Sequence, residues 1–248
     1  MIGEATAAQY ALVAAVAFAA SLLGGVTGYG SGLLLPPILV PVMGAEAVVP
    51  IIGLSALFTN GSRLAAYRAD FEPRRAALIV ACGLPGCLLG AFGYTLLTGP
   101  GVAVLIGAML AALVPIRRLL ARRHGHLPPA GVAAAGAGYG LLMGGTAGSG
   151  VLLLSILLAS GLHGPAVIAT DAGVSLVLGL AKTALFQAAG ALPASSWIMA
   201  LLIGAVSTPG AFLAKRLVRG LSVRAHSGIL DAVVVAGGLV LVAQGLRG

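Results

Sequence analysis

Two glycine-flanked serines carry the repeated chemistry of the chain. Gly30-Ser31-Gly32 runs into Leu33-Leu34-Leu35, and Gly148-Ser149-Gly150 runs into Val151-Leu152-Leu153. Each stands at the predicted start of a short apolar helix. A helix start offers unpaired N–H groups and about half a positive charge; the serine adds a hydroxyl, and the glycines let a ligand approach the main chain. Two such ends, brought together inside a bilayer, suit a small oxyanion. Thr27 and Tyr29 before the first end and Thr146 before the second are further hydroxyl donors. The substrate-binding candidates at these turns are therefore Thr27, Tyr29, Gly30, Ser31, Gly32, Thr146, Gly148, Ser149 and Gly150. The ladders Gly24, Gly28, Gly32 and Gly136, Gly140, Gly144, Gly148 have the spacing of helix packing, and packing is their expected role.

Few ionisable side chains fall inside predicted spans, where a charge is a functional hypothesis by default, and Arg63, Asp171 and Lys182 are the candidates among them. Arg63 is placed about 24 Å along its helix, near one membrane surface, and Lys182 about 26 Å along the matching helix, near the other. Both are candidate anion-binding cations at the two mouths; the alternative is interfacial cations snorkelling along their aliphatic stems. Asp171 shares a helix face with Lys182 and is the coupling candidate for a proton. Its alternative is a salt bridge to an arginine of the basic loops. Asn60, Tyr139 and Gln187 are expected to tie helices together, and His124, His126 and His226 to lie in loops. Cys82 and Cys87 are expected to pack as small hydrophobes. No metal site and no cofactor is expected.

The elements that must position these residues follow from composition. Only 8% of the 248 residues are charged and 59% are hydrophobic, with a mean hydropathy of +1.09. A soluble domain carries about a quarter charged residues, so the fold class is an all-α, polytopic membrane protein. The opening MIGEATAAQY has an acid and no base before the apolar run, unlike a secretory signal. Residues 7–28 are long enough for a bilayer core of about 30 Å and are expected to be a permanent span. Charged or Gly/Pro punctuation predicts further long helices near 46–68, 74–98, 100–120, 129–147, 164–188, 194–218 and 225–246. Two shorter helices, near 31–44 and 149–161, reach only about 20 Å and mark discontinuous or re-entrant elements.

The halves resemble each other. Beyond the Gly-Ser-Gly turns, Gly53-Leu54-Ser55 is echoed by Gly173-Val174-Ser175, Arg63 by Lys182, and Pro85-Gly86 by Pro209-Gly210. The predicted organisation is a first repeat over 1–120, a cytoplasmic linker over 121–128 and a second, inverted repeat over 129–248. Each repeat has about five helical segments, with the short helices at the repeat interface. Charge sets the inversion. With Arg68, Arg74, Arg75, Arg117, Arg118, Arg122 and Arg123 cytoplasmic, an odd number of crossings per half brings Lys215, Arg216, Arg219 and Arg224 to the same side. Both termini then lie outside. The net charge of +8 faces anionic lipid and is no nucleic-acid footprint. Membrane lipid and a small anion are the expected partners, and a homodimer stays open.

The turn Gly28-Tyr29-Gly30-Ser31-Gly32 entering Leu33-Leu34-Leu35-Pro36, its copy at Gly148-Ser149-Gly150 and the duplicated ten-segment pattern resemble the sulfite exporter TauE/SafE family, also called the 4-toluene sulfonate uptake permeases. The resemblance spans nearly the whole chain. Members show Gly-x-Gly-Gly-Gly followed by a proline; here Ser31 replaces the middle glycine, and Leu154-Ser155 stands where the second copy would carry a proline. The resemblance implies a transporter of sulfite, thiosulfate or organosulfonates in a bacterial inner membrane. Nothing in the chain matches the Gly-x4-Gly-Lys-Ser/Thr loop of a nucleotide-driven pump. The alternatives are an intramembrane enzyme, a structural subunit of a membrane complex and a carboxylate transporter. The first lacks His-Glu-x-x-His and Cys-x-x-Cys motifs, so no enzyme is expected; the second leaves the paired Gly-Ser-Gly turns idle.

Overall fold

The computed structural model describes residues 6–27, 31–122, 127–217, 235–243 and 245–246. Among them are the helices α1 (Ala7–Thr27), α2 (Ser31–Leu34), α3 (Pro36–Met43), α4 (Ala45–Ala66), α5 (Pro73–Thr95), α6 (Pro100–Arg122), α7 (Pro129–Gly145), α8 (Gly150–Ala159), α9 (Pro165–Ala188) and α10 (Ala194–Leu217). Residues 235–243 are also helical, and no strand occurs among the described residues. Proline at the first helical position starts α5, α6, α7 and α9, where its missing N–H costs nothing and its φ is already helical. The six longest helices have 21 to 24 residues, about 31 to 36 Å, enough for the hydrocarbon core. Their exposed apolar side chains include Leu89, Phe92, Leu180 and Ile198. Such surface belongs in lipid, and the chain is a multi-pass membrane protein.

The short helix expected near 31–44 is broken into α2 and α3. Pro36 and Pro37 carry no N–H, so the carbonyls of Gly32 and Leu33 lose their partners one turn on. The backbone stays helical through Leu35, whose carbonyl accepts from the N–H of Ile38 at 3.0 Å and of Leu39 at 2.8 Å. The helix expected near 225–246 is described over 235–243 only.

Glycine sets how closely the helices pack. α5 and α7 make the most extensive contact, with Gly83, Gly86 and Gly90 against Gly136, Gly140 and Gly144. A Cβ at Gly140 would strike the Gly83 carbonyl, one at Gly144 the Cys87 carbonyl and one at Gly90 the Leu141 carbonyl. The packing role expected of the second ladder is what these helices use. α1 meets α10 where Gly210 leaves room for the Ser21 hydroxyl. Contacts come in matched pairs: α5 with α7 and α10 with α1, α5 with α9 and α10 with α4, and finally α4 with α9.

Close backbone approach makes a direct prediction. Gly140→Leu should lower thermal stability in detergent by about 1–3 kcal/mol, the usual cost of overpacking. Gly138→Ala, whose Cβ would meet nothing within 4 Å, should leave the melting temperature unchanged or slightly raised. Equal melting temperatures for the two variants would contradict this packing.

Candidate substrate site

α4 and α9 cross the centre antiparallel. Arg63 of α4 faces Asp171 of α9, and ten residues back along α4, Gly53 faces Lys182. The two charged contacts therefore lie at opposite ends of one helix pair.

At the first end, Arg63 Nη2 is 3.3 Å from Asp171 Oδ2 and also donates to Asn60 Oδ1. Asp171 is the one buried acid among the described residues, at 1% exposure. Its second oxygen, Oδ1, has no hydrogen-bond partner among the described residues. The segment after α4 closes over this end: the Phe71 ring fills the space beside Gly173, and the Glu72 N–H donates to Thr170 Oγ1 at 3.2 Å. Asp171 thus takes the salt-bridge position considered for it, but its partner is Arg63 within α4 rather than an arginine of the basic loops.

Lys182 stands elsewhere than expected. It is only 3% exposed, not at an open mouth. Its ammonium donates to the carbonyls of Met143 at 2.7 Å and Thr146 at 2.8 Å. These are terminal carbonyls of α7, which lack helical partners and carry the negative end of the helix dipole. The side chain reaches them past Gly53, where a Cβ would lie 3.4 Å from Lys182 Cε. Its Nζ lies 5.6 Å from the centroid of the Phe186 ring. Among the described residues no acid pairs with Lys182.

Lys182 pins the turn that carries the second Gly-Ser-Gly. There Gly148 adopts φ +81, a conformation L side chains rarely take, and meets α2 backbone to backbone. A Cβ at Gly32 would lie 2.9 Å from the Gly148 N. The two motifs are thus brought together, and at Gly32 and Gly148 the contact is packing. Gly150 differs: a Cβ there would meet nothing within 4 Å. Ser149 is 4% exposed, and the buried Tyr139 lies near Ser149, Ser175 and Asp171. Thr146, expected as an open donor, spends its hydroxyl on the Leu142 carbonyl at 2.6 Å. Tyr29 and Gly30 lie outside the described residues, and of Thr27 and Ser31 only the backbone is described. Gln187 ties α9 to α10 as expected, accepting from Trp197 Nε1 at 2.7 Å, whereas Asn60 bonds within α4, accepting from Arg63.

A buried lysine beside a glycine turn, in a bundle of membrane-length helices, defines an integral membrane protein that holds charge within the bilayer. The sequence profile of the family described as Sulfite exporter TauE/SafE matches residues 13–241, and the chain belongs to that transporter family. No curated protein and no solved structure matches it.

The ion pair predicts a coupling. Asp171→Asn leaves Arg63 without its counter-charge and should cost about 3 kcal/mol, as removal of one partner of a buried pair does. Arg63→Met should do likewise, and the double variant should be less destabilised than the sum by about 1–3 kcal/mol. Detergent melts of the four proteins check this; additive losses would mean that the pair carries no interaction energy.

Proposed function

We propose that the protein is a secondary transporter moving a small sulfur-containing oxyanion (sulfite, thiosulfate or an organosulfonate) across the cytoplasmic membrane of a bacterium by alternating access. The observation that carries this reading is Lys182. A buried ammonium that no acid among the described residues answers, resting on the turn Thr146–Gly150, marks a site suited to negative charge. The anion binds on the open side of Gly150, reached by Ser149, with Ser31, Thr27 and Tyr29 supplying donors from the first repeat. Arg63 is held by Asp171 until the anion competes for it, and Asp171, once released, is the group that takes up a coupling proton.

Helix pairing supports a two-fold exchange between inverted halves: with α1 and α7, α4 and α9, and α5 and α10 taken as repeat equivalents, α5 on α7 answers α10 on α1 and α5 on α9 answers α10 on α4. Orientation follows from where the cations sit. α4, α5, α6 and α10 each have one end near Ala45, Tyr94, Gly99 or Ser195, which line one cavity, and the opposite end near Arg68, Arg74, Arg117 or Lys215. The basic ends are placed in the cytoplasm, and the start of α1, whose Tyr10 also lines the cavity, then lies outside. Export of an anion gains about 2.3 kcal/mol per charge per 100 mV of inside-negative potential, so outward movement needs no further coupling, whereas uptake would use the proton on Asp171.

A thermal-shift screen of the purified protein tests the substrate class. A sulfur oxyanion at a hundred times its Kd should stabilise the fold by about 2.7 kcal/mol. Gly150→Val should keep the parent melting temperature and lose that shift, since its side chain fills space the anion needs. No shift with any sulfur oxyanion, or an equal shift with acetate and succinate, would overturn the assignment.

A further inference from the structure

A cavity of about 1050 Å³ opens at the end of the bundle opposite the basic helix ends, between the starts of α4, α6 and α10 and the ends of α5 and α9. Among the described residues its lining contains no lysine or arginine. Glu46 is the one acid among the described lining residues, and Glu46 Oε1 accepts from the Gly99 N–H at 2.8 Å, tying the starts of α4 and α6 together. Ser196, also in the lining, is 1% exposed and leaves its Oγ without a hydrogen-bond partner among the described residues. The cavity stops at Tyr94. That ring is 4% exposed, its hydroxyl donates to the Ala45 carbonyl at 2.9 Å, and it stands edge-on to Phe186 with centroids 5.8 Å apart. Phe186 is fully buried and absent from the lining, and the Lys182 ammonium, from one turn earlier in α9, lies over its ring.

Cavity, Tyr94, Phe186 and Lys182 therefore follow one another in a series of neighbours leading from the bundle end to the buried cation. We propose that this cavity is the outer vestibule for the anion and that the Tyr94–Phe186 pair is the barrier separating it from Lys182, held shut by the Tyr94 hydroxyl on the α4 start. This rests on the anion-transport reading for the ligand, while the barrier itself is a statement about access. A tyrosine suits the role, since its hydroxyl, which reaches the Ala45 carbonyl and, at 3.3 Å, the Glu46 carbonyl, holds the ring across the path by contacts that are readily exchanged. Thr183, next to Lys182, lies behind the pair: it is 7% exposed, and its Oγ1 has no partner among the described residues.

Cysteine labelling tests the barrier without measuring substrate flux. In the full chain with Cys82 and Cys87 replaced by alanine, reconstituted in vesicles, Ser195→Cys should react readily with an added membrane-impermeant sulfonatoethyl methanethiosulfonate, and Thr183→Cys should not. Adding Tyr94→Phe, which keeps the ring and removes only the latch, should speed labelling of Thr183→Cys about fivefold, the size of one net hydrogen bond. Phe186→Ala should speed it further, and Tyr94→Phe decides the matter if the alanine variant fails to fold. Three results would overturn the proposal: an unreactive Ser195→Cys, equal labelling rates at the two positions in the parent, or a Thr183→Cys rate unchanged by Tyr94→Phe. Absence of sulfur-anion flux together with the expected labelling pattern would count against the substrate reading and leave the barrier standing.

Discussion

A charge inside hydrocarbon must be answered from within the protein, and that constraint organises the centre of this bundle. α4 and α9 bring a cation each. Arg63 is answered by the Asp171 carboxylate and Asn60, and Lys182 by the carbonyls that end α7. The two solutions differ in kind. A carboxylate cancels a full charge, whereas helix-terminal carbonyls offer a partial one. Among the described residues no acid completes the Lys182 end, and it is the end that fixes the turn carrying Ser149. Close glycine packing of α5 on α7 makes this geometry reachable, because it seats the α7 terminus within range of a lysine on α9.

Much of the fold was legible in the sequence. Arg/Gly/Pro punctuation fixed the ends of α4, α5, α6 and α9 to within a few residues because, in a bilayer, charge and proline have few other places to go. The ladder Gly136, Gly140, Gly144 announced close packing, although not that α5 would answer with Gly83, Gly86 and Gly90. The split of α2 from α3 was foreshadowed by Pro36-Pro37, where two consecutive donors are missing.

The site was legible in its parts rather than in its pairings. Arg63, Asp171, Lys182 and Ser149 stand out as polar residues in apolar runs, but which helix faces which is a long-range fact. Placing Lys182 by distance along α9 put it near a surface; the structure turns its side chain inward, since α7 ends there and Gly53 leaves a passage. The Arg63–Asp171 contact had one usable signal. If Gly53 and Gly173 are equivalent on antiparallel helices, the residue opposite Arg63 falls close to Gly173, and Asp171 is the acid there. Tyr94 and Phe186 carry no motif, and only the cavity behind them gives them meaning.

The central claim is that this chain alone moves a sulfur oxyanion past a buried cation. Its most direct test is flux of radiolabelled thiosulfate into vesicles containing only the purified protein, beside vesicles carrying Lys182→Gln and vesicles without protein. The account predicts saturable flux for the parent, competed by unlabelled sulfite but not by acetate, and a strong loss of affinity in the Gln variant. Folded parent protein giving no more flux than protein-free vesicles, or flux indifferent to the loss of Lys182, would contradict it.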